Sequence, residues 1–297
     1  MNVRIIPRLD IKGPNLVKGI RFEGLRVLGK PEDFARYYYE HGADEMIYMD
    51  VVASLYGRNS LLKIVEKTAR DIFIPLTVGG GLRSIDDIRA VLRAGADKVS
   101  LNTAAIASPD LIREASRTFG SSTIVVSIEA IHKGDGTYEA YVNYGRDRTA
   151  VDVFEWALRA EALGAGELMV YSIDRDGVGD GFDLELTQRI ATAVSVPVIA
   201  GGGAGRITDV YDAFTCGKAE AVALASILHY NFVRNMRDLD GDYTAEGNIE
   251  FLKRGKIPAK IQDASLEDIK AYLSEHGVAC RRPSKQAGRL SCGEKEN

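Results

Sequence analysis

One pattern occurs twice in this chain: an apolar strand ending in three glycines, a helical stretch, then a second apolar strand ending in small residues. Residues 74–103 read IPLTVGGGLRSIDDIRAVLRAGADKVSLNT, and residues 196–226 read VPVIAGGGAGRITDVYDAFTCGKAEAVALAS. The triplets Gly79–Gly81 and Gly201–Gly203 are offset by 201 − 79 = 122. Other segments keep step with them. Residues 44–48 align with 166–170 at 122, and residues 4–10 with 123–129 at 119. A period near 120 is too long for a solenoid unit and implies two fused half-domains. The fold must therefore divide into like halves, and a site built on the repeat must occur twice.

Within each half, short strands rich in Val, Ile and Leu alternate with amphipathic helical stretches. Strands are expected near 4–10, 45–51, 74–79, 97–102, 123–129, 167–173, 197–201 and 220–226. Helices are expected near 31–42, 59–71, 84–94, 108–119, 151–164, 183–194, 206–216 and 264–275, with Ser84 and Ser108 as N-caps. Eight β/α units predict an α/β fold, a (β/α)8 TIM barrel over residues 1–280. Its half-barrels would be about 1–120 and 121–280, with a polar insertion at 231–263 and a disordered tail at 281–297. Asp238, Asp240 and Asp242 in the insertion miss the EF-hand spacing and read as a solvated acidic loop, not a metal site.

Bulk properties narrow the class. A net charge of −4 offers no basic field for nucleic acid, and no apolar run is long enough to span a membrane. The start MNVRIIPRLD lacks a signal-peptide layout, and three scattered cysteines suggest a reduced, cytoplasmic protein. No metal or organic cofactor is expected.

In such barrels the chemistry sits at the C-terminal ends of the strands. Asp10 and Glu129 occupy equivalent ends half a barrel apart, which suits general acid and general base work on one substrate. Each glycine turn lets backbone N–H groups approach an anion at the start of a helix. Gly80 and Gly81 with Asn102 and Thr103 form one expected phosphate grip, and Gly202 and Gly203 with Ala225 and Ser226 form the other. A duplicated grip implies a substrate with a phosphate at each end. At the opposite face, Arg4, Glu45, Lys98 and Glu167 stand at strand N-termini, where two cations and two anions could close the floor as a ring. Such a ring is either a stability device or a gate for a small neutral molecule.

These residues resemble the cyclase subunit of imidazole glycerol phosphate synthase, from histidine biosynthesis. The resemblance is carried by RIIPRLDIKG…LVKG at 4–19, GADEMIYMDVVAS at 42–54, PLTVGGG at 75–81, AGADKVSLNTAA at 94–105, FGSSTIVVSIEA at 119–130, GAGELMVYSIDRDG at 164–177 and GGAG at 202–205. It implies a lyase-type cyclase that uses ammonia from a glutaminase partner docked at the N-terminal face. The substrate would be a bisphosphate ribulosyl aminoimidazole carboxamide, and the products imidazole glycerol phosphate and aminoimidazole carboxamide ribotide. By the same resemblance Asp10 and Glu129 are catalytic. Lys18, Asp176 and Gly177 join the substrate-binding set, the four floor residues become an ammonia gate, and Asp97 lies near the glutaminase contact.

The chain also departs from that pattern. Arg8 stands where the family has a small Cys, and strand parity points it into the barrel, where it needs an anion, Asp10 or Glu129. Glu129 replaces an Asp, Ile131 a basic residue, and Tyr171 a small residue facing the lumen. These changes leave two further readings open: a divergent paralogue passing ammonia to the amidination of a surface sugar, or a non-catalytic barrel that activates the glutaminase. His41, His132, His229 and His276 read as surface or packing residues, with His229 the one near a strand end.

Overall fold

The computed structural model describes residues 2–53, 61–235 and 258–281. The first half begins with β1 (Arg4–Lys12), which runs on into an antiparallel hairpin, β2 (Asn15–Ile20) and β3 (Glu23–Gly29). Then come α1 (Pro31–Glu40), β4 (Met46–Asp50), α2 (Leu62–Asp71), β5 (Leu76–Gly79), α3 (Ile85–Arg93), β6 (Lys98–Leu101), the short α4 (Thr103–Ala107) and α5 (Asp110–Phe119). The second half repeats the plan. A long strand β7 (Ile124–His132) leads into the hairpin β8 (Tyr138–Val142) and β9 (Asp147–Asp152). After it follow α6 (Val153–Ala162), β10 (Glu167–Ser172), α7 (Leu184–Ala193), β11 (Val198–Gly201), α8 (Ile207–Thr215), β12 (Ala221–Leu224), α9 (Ser226–Asn235) and α10 (Leu266–Glu275).

Eight strands pair in parallel in the order β1-β4-β5-β6-β7-β10-β11-β12, and β12 returns to β1 with Arg4 beside Ala221. The sheet is closed, so the (β/α)8 barrel and its twofold repeat are both present. Period-2 alternation divides the side chains between two apolar cores. Leu9, Tyr48, Val78, Val99, Val126, Leu168 and Val198 face outward against the helices. Ile6, Ile47, Val125, Met169, Ile199, Ala221 and Ala223 face the lumen, where the hairpin residues Phe22 and Tyr144 join them.

Local chemistry sets the element ends. Ser84 accepts a bond from the Asp87 N–H while Asp87 accepts from the Ser84 N–H, a capping box that starts α3. The Ser108 cap is not formed. Pro109 begins α5 in helical geometry, and Ser108 contributes its carbonyl, to the Leu111 N–H, rather than its hydroxyl. Both hairpins escaped the strand count because they lack strong alternation. The stretch expected to be a polar insertion from 231 starts as helix, since α9 runs to Asn235 with Asn231 and Phe232 buried. Residues 236–257, with Asp238, Asp240 and Asp242, lie outside the described residues, as do 282–297.

The glycine triplets turn sharply at the mouth. Gly80 has φ +100°, and a Cβ there would stand 2.3 Å from the Asp50 carbonyl oxygen. Gly202 has φ +83°, and its Cβ would stand 2.5 Å from the Ser172 carbonyl, at the matching place in the second half. Gly80→Ala should therefore cost at least about 2 kcal/mol, from positive-φ strain plus a backbone clash. The check is a lower urea midpoint at unchanged slope.

Candidate active site

β1 carries Arg4, Ile6, Arg8 and Asp10 inward by parity, so one strand supplies the floor, the lumen and the mouth. At the mouth, Asp10 and Glu129 are both almost fully buried. The Asp10 oxygens are both engaged: Arg8 Nε donates to Oδ1 at 2.9 Å, and the Tyr144 hydroxyl donates to Oδ2 at 3.0 Å. Glu129 accepts from the Gly145 N–H at 3.0 Å. The turn after β8 thus holds both carboxylates, one through a side chain and the other through the next backbone amide. Burial pushes Glu129 up to about 7, and the nearby Arg8 charge only partly offsets it. A carboxyl titrating there can give or take a proton near neutrality.

Arg8 is wholly buried. Burial opposes its charge, but Asp10 next to it, with Tyr171, Tyr144 and Glu129 around it, outweighs that and raises the pKa of the guanidinium. Its carbon lies 4.0 Å from the Tyr171 ring centroid and 5.7 Å from that of Phe22, in cation–π range of both. Phe22 stacks on Tyr144 with centroids 4.2 Å apart. Phe22 and Tyr144 are repeat mates, 144 − 22 = 122, and both sit at hairpin turns with positive φ, 65° and 59°. An aromatic residue in that conformation is strained, and here the strain lays two rings over the barrel mouth. His229 supports Arg8 from behind. Its Nε2–H donates to the Arg8 carbonyl at 3.0 Å, and its Nδ1 accepts from the Tyr38 hydroxyl at 2.7 Å. Burial pushes His229 down to about 3, so it is a neutral, buried group and not a surface residue.

The first glycine turn opens onto a cavity of about 300 Å³ lined by Gly80, Gly81, Asn102, Thr103 and Glu129. The second turn lines a space of about 10 Å³ with Gly202, Gly203, Ala225, Ser226, Asp176, Gly177 and Lys18. Lys18 Nζ bonds both Asp176 oxygens at 2.9 Å, and the Tyr171 hydroxyl donates to Asp176 at 2.9 Å. Strand β2, which carries Lys18, is thereby tied to the turn after β10. At the floor, Arg4 bonds Glu45 at 2.8 Å and also Glu167, while Lys98 bonds Glu45 at 3.0 Å and Glu167 at 3.1 Å. Each cation touches both anions, so the four close a ring across the strand N-termini.

Every residue expected from the sequence thus falls at the mouth or the floor. Phe22 and Tyr144 were missed, while His229 takes the packing role, one of the two read for it. The first two could have been found by carrying the offset of 122 into the hairpins. Among the described residues, no group of three His, Cys, Asp or Glu is placed to hold a metal ion, and no helix is long and apolar enough to cross a membrane.

A half-repeat (β/α)8 barrel with two glycine turns and two carboxylates at the C-terminal ends of its strands has the layout of a barrel enzyme. The family described as histidine biosynthesis protein matches residues 4–234. Three relatives are each named imidazole glycerol phosphate synthase subunit HisF. That of Legionella pneumophila is 55% identical over 208 residues, 70% of this chain and 98% of its own. That of Methanocaldococcus jannaschii is 48% identical over 297 residues, 94% of this chain and 98% of its own. That of Alkaliphilus metalliredigens is 47% identical over 230 residues, 77% and 91%. The chain belongs to the HisF family of histidine biosynthesis proteins.

The Glu129 environment makes a stability prediction. A raised folded-state pKa favours the neutral acid, so its contribution is complete below the ordinary value of 4.5 and is lost as pH rises through about 7. Across that window wild type should lose roughly 3 kcal/mol relative to Glu129→Gln. Urea unfolding of both proteins at pH 4.5 and pH 8 measures it, and a constant difference would show that burial does not govern this carboxyl.

Proposed function

We propose that this chain is the cyclase subunit of imidazole glycerol phosphate synthase, a cytoplasmic lyase-type enzyme. With ammonia it converts a bisphosphate ribulosyl aminoimidazole carboxamide into imidazole glycerol phosphate and aminoimidazole carboxamide ribotide. The observation that carries the reading is the placement of two buried carboxylates between two glycine turns, on an axis whose other end is a ring of ion pairs. Gly80, Gly81, Asn102 and Thr103 hold one phosphate, and Gly202, Gly203, Ala225 and Ser226 hold the other, with Lys18, Asp176 and Gly177 beside it. Asp10 and Glu129 then face the middle of the substrate. Glu129, titrating near 7, exchanges protons as the ring closes, and Asp10, fixed by Arg8 and Tyr144, orients and accepts.

The ammonia comes from a glutaminase subunit on the N-terminal face. There Phe73 is 78% exposed and, with Pro75 and Asp97, lines an open groove, an apolar and acidic surface suited to a protein partner. Arg4, Glu45, Lys98 and Glu167 form the gate above it. The ring must part for a molecule to enter, and its four ion pairs exchange partners more cheaply than a packed apolar floor would be opened.

Arg8 and Tyr171, which crowd the second turn, favour a second reading, a barrel that passes ammonia to another acceptor such as a surface sugar. Complementation separates the two. The gene should restore growth without histidine to a strain lacking the cyclase, and Asp10→Asn should abolish it. In vitro, turnover of the bisphosphate with ammonium salt should fall at least a hundredfold in that variant. Absence of both growth and turnover in the wild type would sink the cyclase assignment.

A further inference from the structure

The two glycine turns share a backbone plan but not their contents. In the first half the Met49 side chain packs against Gly79, with Sδ 2.6 Å from where a Cβ would stand. At the repeat-related place, 171 − 49 = 122, the second half has Tyr171, whose ring lies 2.2 Å from the corresponding point on Gly201 and 3.2 Å from that on Gly202. The difference is large in space. The Met49 side keeps a cavity of about 300 Å³, and the Tyr171 side keeps about 10 Å³, no more than about one water needs.

The second grip nonetheless retains the parts of an anion site. Ser226 begins a ten-residue helix, and its hydroxyl is buried without a hydrogen-bond partner while lining the residual space. A buried orphan hydroxyl is costly, and a ligand that accepts a hydrogen bond from it would offset that cost. Its counterpart Thr103 is already used, accepting from the Asn143 N–H at 3.0 Å. The ring over the site is held at two points, one of them braced by a further ion pair. Its hydroxyl bonds Asp176, Asp176 bonds Lys18, and its face carries the Arg8 guanidinium, whose two terminal nitrogens have no hydrogen-bond partner.

We propose that Tyr171 is a latch on the second phosphate grip. A phosphate seats at Gly202, Gly203 and Ser226 only when the ring has swung off the glycine turn, and Arg8 is the positioning residue that holds the ring closed. The latch makes Tyr171 and Arg8 determinants of specificity. A ligand with one phosphate enters the open first grip, and a ligand with two must have reach enough to displace the ring. The inference rests on reading the glycine turns as phosphate grips, but not on which reaction follows.

The test uses inorganic phosphate titrated into the whole protein, followed by calorimetry and by ³¹P NMR. Wild type should bind one phosphate, with any second binding at least tenfold weaker. Tyr171→Met, which copies the first half, should bind two with affinities within about threefold of each other. Arg8→Cys should tighten the second site by a smaller factor, and it serves if Tyr171→Met does not fold. Adding Ser226→Ala to either variant should remove the second site and keep the first, a result that general loosening of the fold would not give. Two equivalent phosphates on wild type, or one phosphate on both Tyr171→Met and Arg8→Cys, would overturn the latch. No phosphate on any variant would overturn the phosphate grips themselves and the latch with them.

Discussion

A guanidinium buried on the axis of a barrel has to be neutralised and given a surface to lie on, and the mouth of this protein is organised around those two needs. Leaving such a charge unpaired would destabilise the fold by about 3–5 kcal/mol. Arg8 meets the first need through Asp10 and the second through Tyr171 and Phe22. His229 fixes the Arg8 carbonyl, Tyr144 takes the second oxygen of Asp10, and Phe22 closes over Tyr144. Removing the guanidinium would free one oxygen of Asp10 and uncover the faces of the Tyr171 and Phe22 rings. Arg8 therefore couples residues that the twofold repeat by itself would leave independent.

The repeat explains why these parts come in pairs, and the differences within pairs explain why the site has a direction. Met49 and Tyr171, Phe22 and Tyr144, Gly80 and Gly202 are each 122 residues apart on matching backbone. Where the side chains stay alike, the geometry is duplicated, as in the two glycine turns. Where they diverge, the halves take different tasks. Asp10 is tied by an ion pair, whereas Glu129 is held by the Gly145 N–H and by Asn102 and is shifted up by burial. Two carboxylates in unlike surroundings are the arrangement by which one site can supply an acid and a base at one pH.

The barrel was legible because its signals are periodic and duplicated. Strands such as Val198–Gly201 and helices such as Ile85–Arg93 announce themselves by alternation and caps, and the offset of 122 ties them into halves. Asp10, Glu129, the glycine turns and the floor residues followed from strand ends and parity. The hairpins did not follow, because their strands lack strong alternation and their turns hold Arg21, Phe22, Asn143 and Tyr144 at positive φ, which side-chain-bearing residues seldom adopt. The α9 helix was hidden by the polar residues around Asn231, whose burial depends on packing that no local pattern encodes. The anion that pairs with Arg8 was equally hidden. Parity brings both Asp10 and Glu129 within reach of the guanidinium, and only the hairpin turn, by engaging Glu129 through Gly145, leaves Asp10 as the partner.

The lumen between floor and mouth carries the last piece of this logic. Most of its wall is apolar, built from Ile6, Ile47, Val125, Met169 and Ile199. On β6 and β7, however, Ser100 and Ser127 are buried with hydroxyls that have no protein partner. Parity sets Ser100 between Lys98 of the ring and Asn102 of the first grip, and Ser127 just below Glu129. A wall of this kind would attract a small neutral molecule able to donate and accept hydrogen bonds, while ions would find too little to replace their water. Arg8 enters the lumen from β1, half a barrel from β7, and Tyr171 stands on β10 beside β7, level with Glu129. On the proposed reading, ammonia admitted through the ring would therefore be led along the hydroxyl wall and emerge beside Glu129, in the cavity of the open grip.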